Sequence, residues 1–156
     1  MKDGTARRTL DRFLKRHKIR RRIRLLTARN QSEPIAYGLF RWTIVLPEGA
    51  EDRLERNELK ALLAHEVAHL VRGDVRWLWA GRVLCTCFAF QPLNFLARKR
   101  WQQVAEYLCD DWALERGVRS LSLARCLTQV AEWRFGADTP PSGWPLAARR
   151  QRLCNA

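Results

Sequence analysis

Apolar residues recur at spacings of three and four along residues 54–72, a pattern typical of an amphipathic helix. The positions are Leu54, Leu59, Leu62, Leu63, Val67, Leu70 and Val71. Acidic side chains at Glu51, Asp52 and Glu55 lie near the start, where they suit the positive end of a helix dipole. Gly73 is a residue type that commonly ends a helix. The sequence therefore predicts a helix that ends at Arg72.

Similar patterns predict three further elements. Residues 97–116 read as a helix ended by Gly117, with Trp101, Val104, Ala105, Leu108 and Trp112 able to pack against the core. Residues 120–135 form a second amphipathic pattern. Residues 35–46 are rich in β-branched and aromatic residues and are bounded by prolines, which predicts a strand or hairpin. The predicted fold class is mainly α, in an α+β arrangement with a small β element before the first helix.

The run His65-Glu66-Val67-Ala68-His69 lies within the helix predicted over residues 54–72. On a helix, residues four apart share a face, so both imidazoles can hold one zinc ion. Glu66, beside the first histidine, can then reach a water molecule on that ion. The alternative is a core helix with two partly buried, hydrogen-bonded histidines. Only three histidines occur in the chain, and two of them are here.

A catalytic zinc site needs a third protein ligand and an open fourth position. Glu106 and Asp110 are four residues apart in the helix predicted over residues 97–116, so they share a face. We predict Glu106 as the third ligand and Asp110 as the carboxylate that orients a ligating histidine, by preference His65. The alternative places both acids on a solvated face. Cys109 is interpreted as a packing residue that points away from Glu106.

Three blocks of sequence resemble the peptidase domain of bacterial BlaR/MecR-type antirepressors, which are integral-membrane zinc metallopeptidases with gluzincin-like sites. The blocks are His65-Glu66-Val67-Ala68-His69-Leu70-Val71-Arg72-Gly73-Asp74, Gln91-Pro92-Leu93-Asn94-Phe95-Leu96-Ala97-Arg98 and Glu106-Tyr107-Leu108-Cys109-Asp110-Asp111. Pro34-Ile35-Ala36-Tyr37-Gly38 and Ile44-Val45-Leu46-Pro47 also match the pattern, so the resemblance covers about residues 34–135.

This resemblance implies a zincin-like helical metallopeptidase domain that holds one Zn²⁺ ion. It assigns the metal to His65, His69 and Glu106, catalysis to Glu66 and a supporting role to Asp110. Asp74 matches a recurrent acidic position that has no role derivable from the sequence. No residue of the sequence is identified as substrate-binding.

The function expected from these residues is hydrolysis of peptide bonds in a protein substrate, either a regulator or the protein itself. Glu66 would act as general base on water activated by zinc. An edge strand at residues 35–37 or 42–46 could pair with the substrate backbone, although for residues 44–46 an ordinary core strand is favoured. The alternatives are a catalytically inactive zinc-binding interaction module and, more distantly, a basic nucleic-acid-binding protein.

Positive charge is concentrated at the start of the chain. Residues 1–30 hold twelve lysines and arginines against two aspartates, a net of +10, out of +13 for the whole sequence. We predict a basic helical segment over residues 1–30, a peptidase core over residues 31–136 and a tail over residues 137–156. A cytoplasmic position next to a bacterial membrane is favoured for the basic block. A solvated helix and a nucleic-acid arm are the alternatives, in that order.

The longest apolar stretch covers residues 83–97, about fifteen residues, and contains Gln91, Pro92 and Asn94. A membrane-spanning helix needs about twenty apolar residues, so no span is predicted. The stretch could be a buried helix–turn element, a re-entrant segment or a surface that meets membrane helices. Tryptophans 77, 79, 101 and 112 flank the candidate site, and most are expected to pack in the core or at an interface. Exposure of this cluster would instead indicate docking to a membrane or to other helices. Five cysteines without a C-x-x-C pair indicate a reducing compartment.

Overall fold

The computed structural model describes residues 4–135 apart from residues 30, 39, 89, 90 and 92. The tail predicted over residues 137–156 lies outside these residues. Within them the chain forms the following helices and strands in order: α1 (Thr5–Arg16), β1 (Ile23–Ala28), β2 (Ile35–Tyr37), β3 (Trp42–Pro47), α2 (Ala50–Arg53), α3 (Arg56–Arg72), α4 (Asp74–Cys87), α5 (Leu93–Glu115) and α6 (Ser120–Phe135). The predicted fold class, mainly helical with a small β element before the motif helix, is confirmed.

The sheet has the order β1-β3-β2, with β1 parallel and β2 antiparallel to the central strand β3. The predicted hairpin is therefore β2 and β3. Gly38 has a φ of +141°, and a Cβ there would collide with the carbonyl oxygen of Arg41, so this position favours glycine. The prediction that residues 42–46 offer an edge is wrong, because β3 pairs on both sides. Strand β2 is the edge that packs against α3.

Helix α3 carries the His-Glu motif and lies at the centre of the molecule. It packs against α1, α5, α6, α4 and the strands β2 and β3. Residues 61–68 are all buried, which explains why the helix is apolar on nearly every side. The helix begins at Arg56, two residues later than predicted, because Glu55 and Glu58 form a capping box around its first turn. It ends at Gly73, as predicted, where φ is +73°.

The basic N-terminal residues contribute to the same core. Ala6, Leu10, Phe13 and Leu14 are buried against the rest of the molecule, at spacings of three and four, while Arg8 and Arg12 of α1 face solvent. The prediction of a helical segment over residues 1–30 is wrong for residues 23–28. These residues form β1, because Ile23 and its neighbours pair with β3. The high charge of this segment conceals its apolar stripe. The boundary at residue 30 stays a prediction.

Helices α4 and α5 form a hairpin whose apolar residues face outward. Within this hairpin, Trp77, Trp79 and Trp101 are 58%, 61% and 51% exposed, and Leu93 is 65% exposed. The expectation that Trp101, Val104 and Leu108 pack into the core is therefore wrong, as is the buried helix–turn alternative for residues 83–97. Only Ala105, Cys109 and Ala113 of α5 are buried, and Trp112 is half-buried. Across the described part of the chain, no helix is both long and apolar enough to cross a bilayer.

Candidate metal centre

The two motif histidines lie side by side on one face of α3. Their Nε2 atoms are 3.2 Å apart, and their rings meet edge to face with centroids 4.9 Å apart. The side chain of His65 is 7% exposed and that of His69 is 15% exposed. Because α3 is enclosed by the core, neither ring can move away without displacing packed neighbours. The helix therefore holds both nitrogen atoms near one point.

Glu106 reaches the same point from α5, which packs against α3. Its Oε2 atom is 3.3 Å from Nε2 of His65 and 3.8 Å from Nε2 of His69. The carboxylate is 59% exposed, so it covers the histidine pair from the solvent side. The three donor atoms that sequence analysis assigned to one ion are thus brought together, within 4.8 Å of one another.

The spacing of these donor atoms fits a zinc ion. Ligand atoms at about 2.0–2.2 Å from a tetrahedral zinc lie about 3.3–3.6 Å from one another. The observed separations are 3.2, 3.3 and 3.8 Å. Two imidazoles and one carboxylate are also a ligand set of catalytic zinc sites, which leave a fourth position for water or substrate. The residues present therefore fit the metal that the sequence predicted.

Each imidazole is held from behind by a carboxylate. Nδ1 of His65 lies 2.9 Å from Oδ1 of Asp110, and Nδ1 of His69 lies 3.2 Å from Oδ2 of Asp74. An ionised carboxylate can only accept, so in the neutral form of each ring this network places the proton on Nδ1 and leaves the Nε2 lone pair free. Both lone pairs then point toward Glu106. Such carboxylate–histidine pairs fix ring orientation and strengthen metal ligation.

The charges of the site favour a cation between the three ligands. Burial lowers the pKa of His65, but the hydrogen bonds to Asp110 and Glu106 outweigh it and raise that pKa to about 10. The pKa of His69 is raised as well: burial lowers it, but the hydrogen bond to Glu106 outweighs that effect. The two histidines hold the pKa of Glu106 well below its ordinary value. A proton on the pair supplies the positive charge that a metal ion would otherwise supply.

Glu66 lies next to His65 on α3 but does not join the group of three ligands. Its side chain is buried, and burial raises its pKa against the opposing effect of the two histidines. A carboxylate with a raised pKa, close enough to interact with both imidazoles, holds a proton more readily than an exposed glutamate does. The structure therefore leaves this carboxylate available for acid–base chemistry.

Cys109 and Arg72 complete a layer beneath His69 that sequence analysis did not identify. The thiol of Cys109 donates to Oδ2 of Asp74 at 3.3 Å and lies 3.3 Å from Nδ1 of His69, and Arg72 Nε donates to the same Asp74 oxygen at 3.2 Å. Burial and Asp74 raise the pKa of Cys109, so it stays a thiol. The expectation that Cys109 points away from Glu106 is wrong, because both side chains reach the ring of His69, at Nδ1 and Nε2 respectively. Cys109 is nevertheless buried, and it also contacts Asp74. Cys109 follows Glu106 by three residues, a spacing that places two side chains on one face of a helix, and this spacing could have predicted the contact from the sequence.

Two histidines of α3 and a glutamate of α5 meet at one point, and an aspartate lies behind each histidine. This is the ligand pattern that the resemblance to BlaR/MecR-type peptidases implied. The chain belongs to the BlaR1 peptidase M56 family, whose model matches residues 1–128. This confirms the resemblance and identifies a peptidase family, which indicates metallopeptidase chemistry, a bound metal and a protein substrate. Members of this family are generally membrane-associated. A comparison with curated proteins returned no match.

Proposed function

We propose that this chain is a zinc-dependent endopeptidase that hydrolyses peptide bonds of a protein substrate. The observation that carries the proposal is the convergence of Nε2 of His65, Nε2 of His69 and Oε2 of Glu106 at 3.2–3.8 Å. In the metal-free arrangement a proton on the histidine pair lies between the imidazoles and the Glu106 carboxylate, and a cation bound by the same three atoms would take the place of that proton. Membership in a peptidase family supports the same conclusion.

In this proposal His65, His69 and Glu106 hold one Zn²⁺ ion. When bound, zinc supplies Lewis acidity, which polarises the scissile carbonyl and lowers the pKa of a water molecule. Glu66 removes a proton from the attacking water and passes it to the nitrogen of the leaving amine. Asp110 and Asp74 keep both Nδ1 atoms protonated, so that the Nε2 atoms stay available as ligands.

Strand β2 is the element we assign to the substrate backbone. It is an edge of the sheet that packs against the motif helix α3, and Ile35 and Tyr37 are 38% and 46% exposed. An extended peptide can add to such an edge through main-chain hydrogen bonds. A substrate paired with β2 would run beside α3, where the histidines lie.

We further propose that the outward face of the α4–α5 hairpin contacts the cytoplasmic surface of a membrane. An open groove of about 580 Å³, lined mainly by apolar side chains, lies between the helices beside Trp77 and Trp101, whose rings are 5.9 Å apart. Residues 75–105 contain five lysines and arginines and no acidic residue. Aromatic side chains with a basic surround suit the interface of an anionic bilayer.

The proposed function is tested by metal analysis of the purified protein and by cleavage of a peptide library derived from a bacterial proteome. We expect one zinc per chain, and we expect Glu66→Gln to keep the zinc while turnover falls by about 10²–10⁴-fold. Glu115→Gln, a change at a 75% exposed carboxylate of α5, is the matched control and should keep full activity.

The other outcomes separate the alternatives. Zinc binding without cleavage of any peptide by the wild-type protein would favour an inactive zinc-binding module. Loss of zinc from Glu66→Gln would contradict the assignment of this residue as the base. Absence of bound metal under zinc-replete conditions would reject the proposal as a whole.

A further inference from the structure

A basic cavity opens beside the metal ligand His69. It has a volume of about 290 Å³, and its wall includes Arg21, Arg76, Trp42 and Gly38. A second cavity of about 450 Å³ shares Arg21 and Trp42 with the first, so the two adjoin. The second cavity adds Arg22, Arg24 and Arg41 to the basic lining. Neither lining contains an acidic residue, so five arginines line the two neighbouring cavities.

These arginines have no carboxylate partner among the residues that the structure describes. Elsewhere in the same residues, Arg7, Arg29 and Arg72 each form an ion pair with an acidic side chain. The guanidinium of Arg21 lies 4.9 Å above the ring of Trp42, a contact that orients the group without using its N–H donors. A guanidinium with free donors matches a carboxylate through two parallel hydrogen bonds.

The position of the first cavity relates it to the substrate path. Strand β2 ends at Tyr37, and the next residue, Gly38, lines the same cavity as His69. A peptide that pairs with β2 beside α3 would therefore direct a side chain into this cavity. That side chain would belong to a residue close to the bond that is cut.

We propose that the enzyme selects substrates with acidic side chains next to the scissile bond, held by Arg21 and Arg76. This inference rests on the proposed endopeptidase function. A concave site at a metal ligand admits single carboxylates of an extended peptide. A nucleic-acid duplex presents a phosphate about every 1.7 Å along its length and is bound by charges spread over a wide surface. The acidic peptide is therefore the favoured ligand.

The binding test uses zinc-loaded full-length protein carrying Glu66→Gln, with fluorescence anisotropy as the readout. Two fluorescein-labelled peptides differ only in that the glutamates of one are glutamines in the other. We expect the acidic peptide to bind at least about tenfold more tightly. Adding Arg21→Gln and Arg76→Gln should remove most of that difference. Adding Arg12→Gln and Arg125→Gln, at exposed arginines of α1 and α6 outside both cavities, removes the same charge and should preserve it.

Equal binding of the two peptides, or an equal loss in the control variant, would overturn the proposal. So would binding of phosphatidylglycerol vesicles or duplex DNA that depends on Arg21 and Arg76 while both peptides bind alike. Circular dichroism melting curves of each variant establish that all of them are folded.

A cleavage test separates this inference from the function on which it rests. Wild-type protein with zinc is incubated with the proteome-derived peptide library, and the residues around each cut bond are read by mass spectrometry. We expect enrichment of Asp and Glu that Arg21→Gln with Arg76→Gln abolishes. Cleavage without that enrichment overturns the acidic specificity alone. Binding of the acidic peptide through Arg21 and Arg76, without any cleavage, rejects the endopeptidase function and keeps acidic recognition.

Discussion

The two helices that carry the proposed metal ligands differ in where their apolar residues lie. Helix α3 is buried along residues 61–68, so Leu62, Leu63 and Val67 hold His65 and His69 in a packed interior. The burial of side chains in helix α5 changes along its length. Its first half exposes Leu93 and Leu96, whereas its second half buries Ala105, Cys109 and Ala113, which share one face.

Glu106 lies where these two halves of α5 meet, next to the first buried residue. The histidines are therefore positioned by the protein core, and the third ligand by a helix that is only half enclosed. Leucine content alone does not separate the two helices, since each carries four leucines. The difference is that the core surrounds α3 on several sides, while α5 packs mainly against α3 and α4.

The largest expected difference between the two regions is in stability. Leu63→Ala removes a side chain that is 0% exposed, and should lower the free energy of unfolding by about 2–5 kcal/mol through the cavity that it leaves. Leu93→Ala, at a 65% exposed position, should change it by less than about 0.5 kcal/mol. Chemical denaturation of both variants measures this. Similar losses would mean that the hairpin face is covered in solution.

The next effect concerns the carboxylates behind the histidines. Asp110→Asn weakens the hydrogen bond to Nδ1 of His65 and should reduce zinc affinity about 10–100-fold. Asp111→Asn changes the neighbouring exposed carboxylate of α5 and serves as the control. Competition with a chelator of known affinity gives both values. An equal effect of the two changes would assign the loss to net charge and not to orientation.

Zinc affinity should also depend on pH. In the metal-free protein the pKa of His65 is raised from 6.5 to about 10, so zinc must displace a proton at neutral pH. Affinity should rise about tenfold per pH unit for each proton displaced. The raised pKa stabilises the metal-free fold below pH 6.5, and this contribution is lost as the pH rises toward about 10. Calorimetry in buffers of different ionisation enthalpy counts the released protons, and a count of zero would contradict the prediction.

The smallest expected effect tests the outward face of the hairpin. Arg82→Gln removes one exposed charge of α4 and should weaken binding to phosphatidylglycerol vesicles about fivefold, because one basic residue near an anionic surface contributes about 1 kcal/mol. Arg125→Gln on α6 should leave binding unchanged. Co-sedimentation with vesicles compares the two variants. If both variants bind like the wild type, the hairpin does not form the membrane contact.

The sequence predicted the motif helix, its end at Gly73 and the residues that converge at the candidate site, because helical spacing determines which side chains share a face. It did not predict the parallel strand β1 or the buried stripe of α1. Both lie in a segment whose positive charge masks a few well-spaced apolar residues. Nor could spacing show which side of α5 faces the core, since Trp101 and Val104 are as apolar as any buried residue. The contacts of Cys109 and Arg72 with Asp74 arise only when α3, α4 and α5 pack together.

Gly73 ends α3 and also begins α4, so one left-handed residue separates the two helices. The residue that follows it, Asp74, holds the ring of His69. Displacement grows with distance from a pivot, and α4 is about 20 Å long. A tilt of about 10° at this joint would carry the far end of α4 through about 3–4 Å while the aspartate beside the pivot barely shifts. A tilt at this joint would thus move the far end of α4 much more than the carboxylate that holds His69.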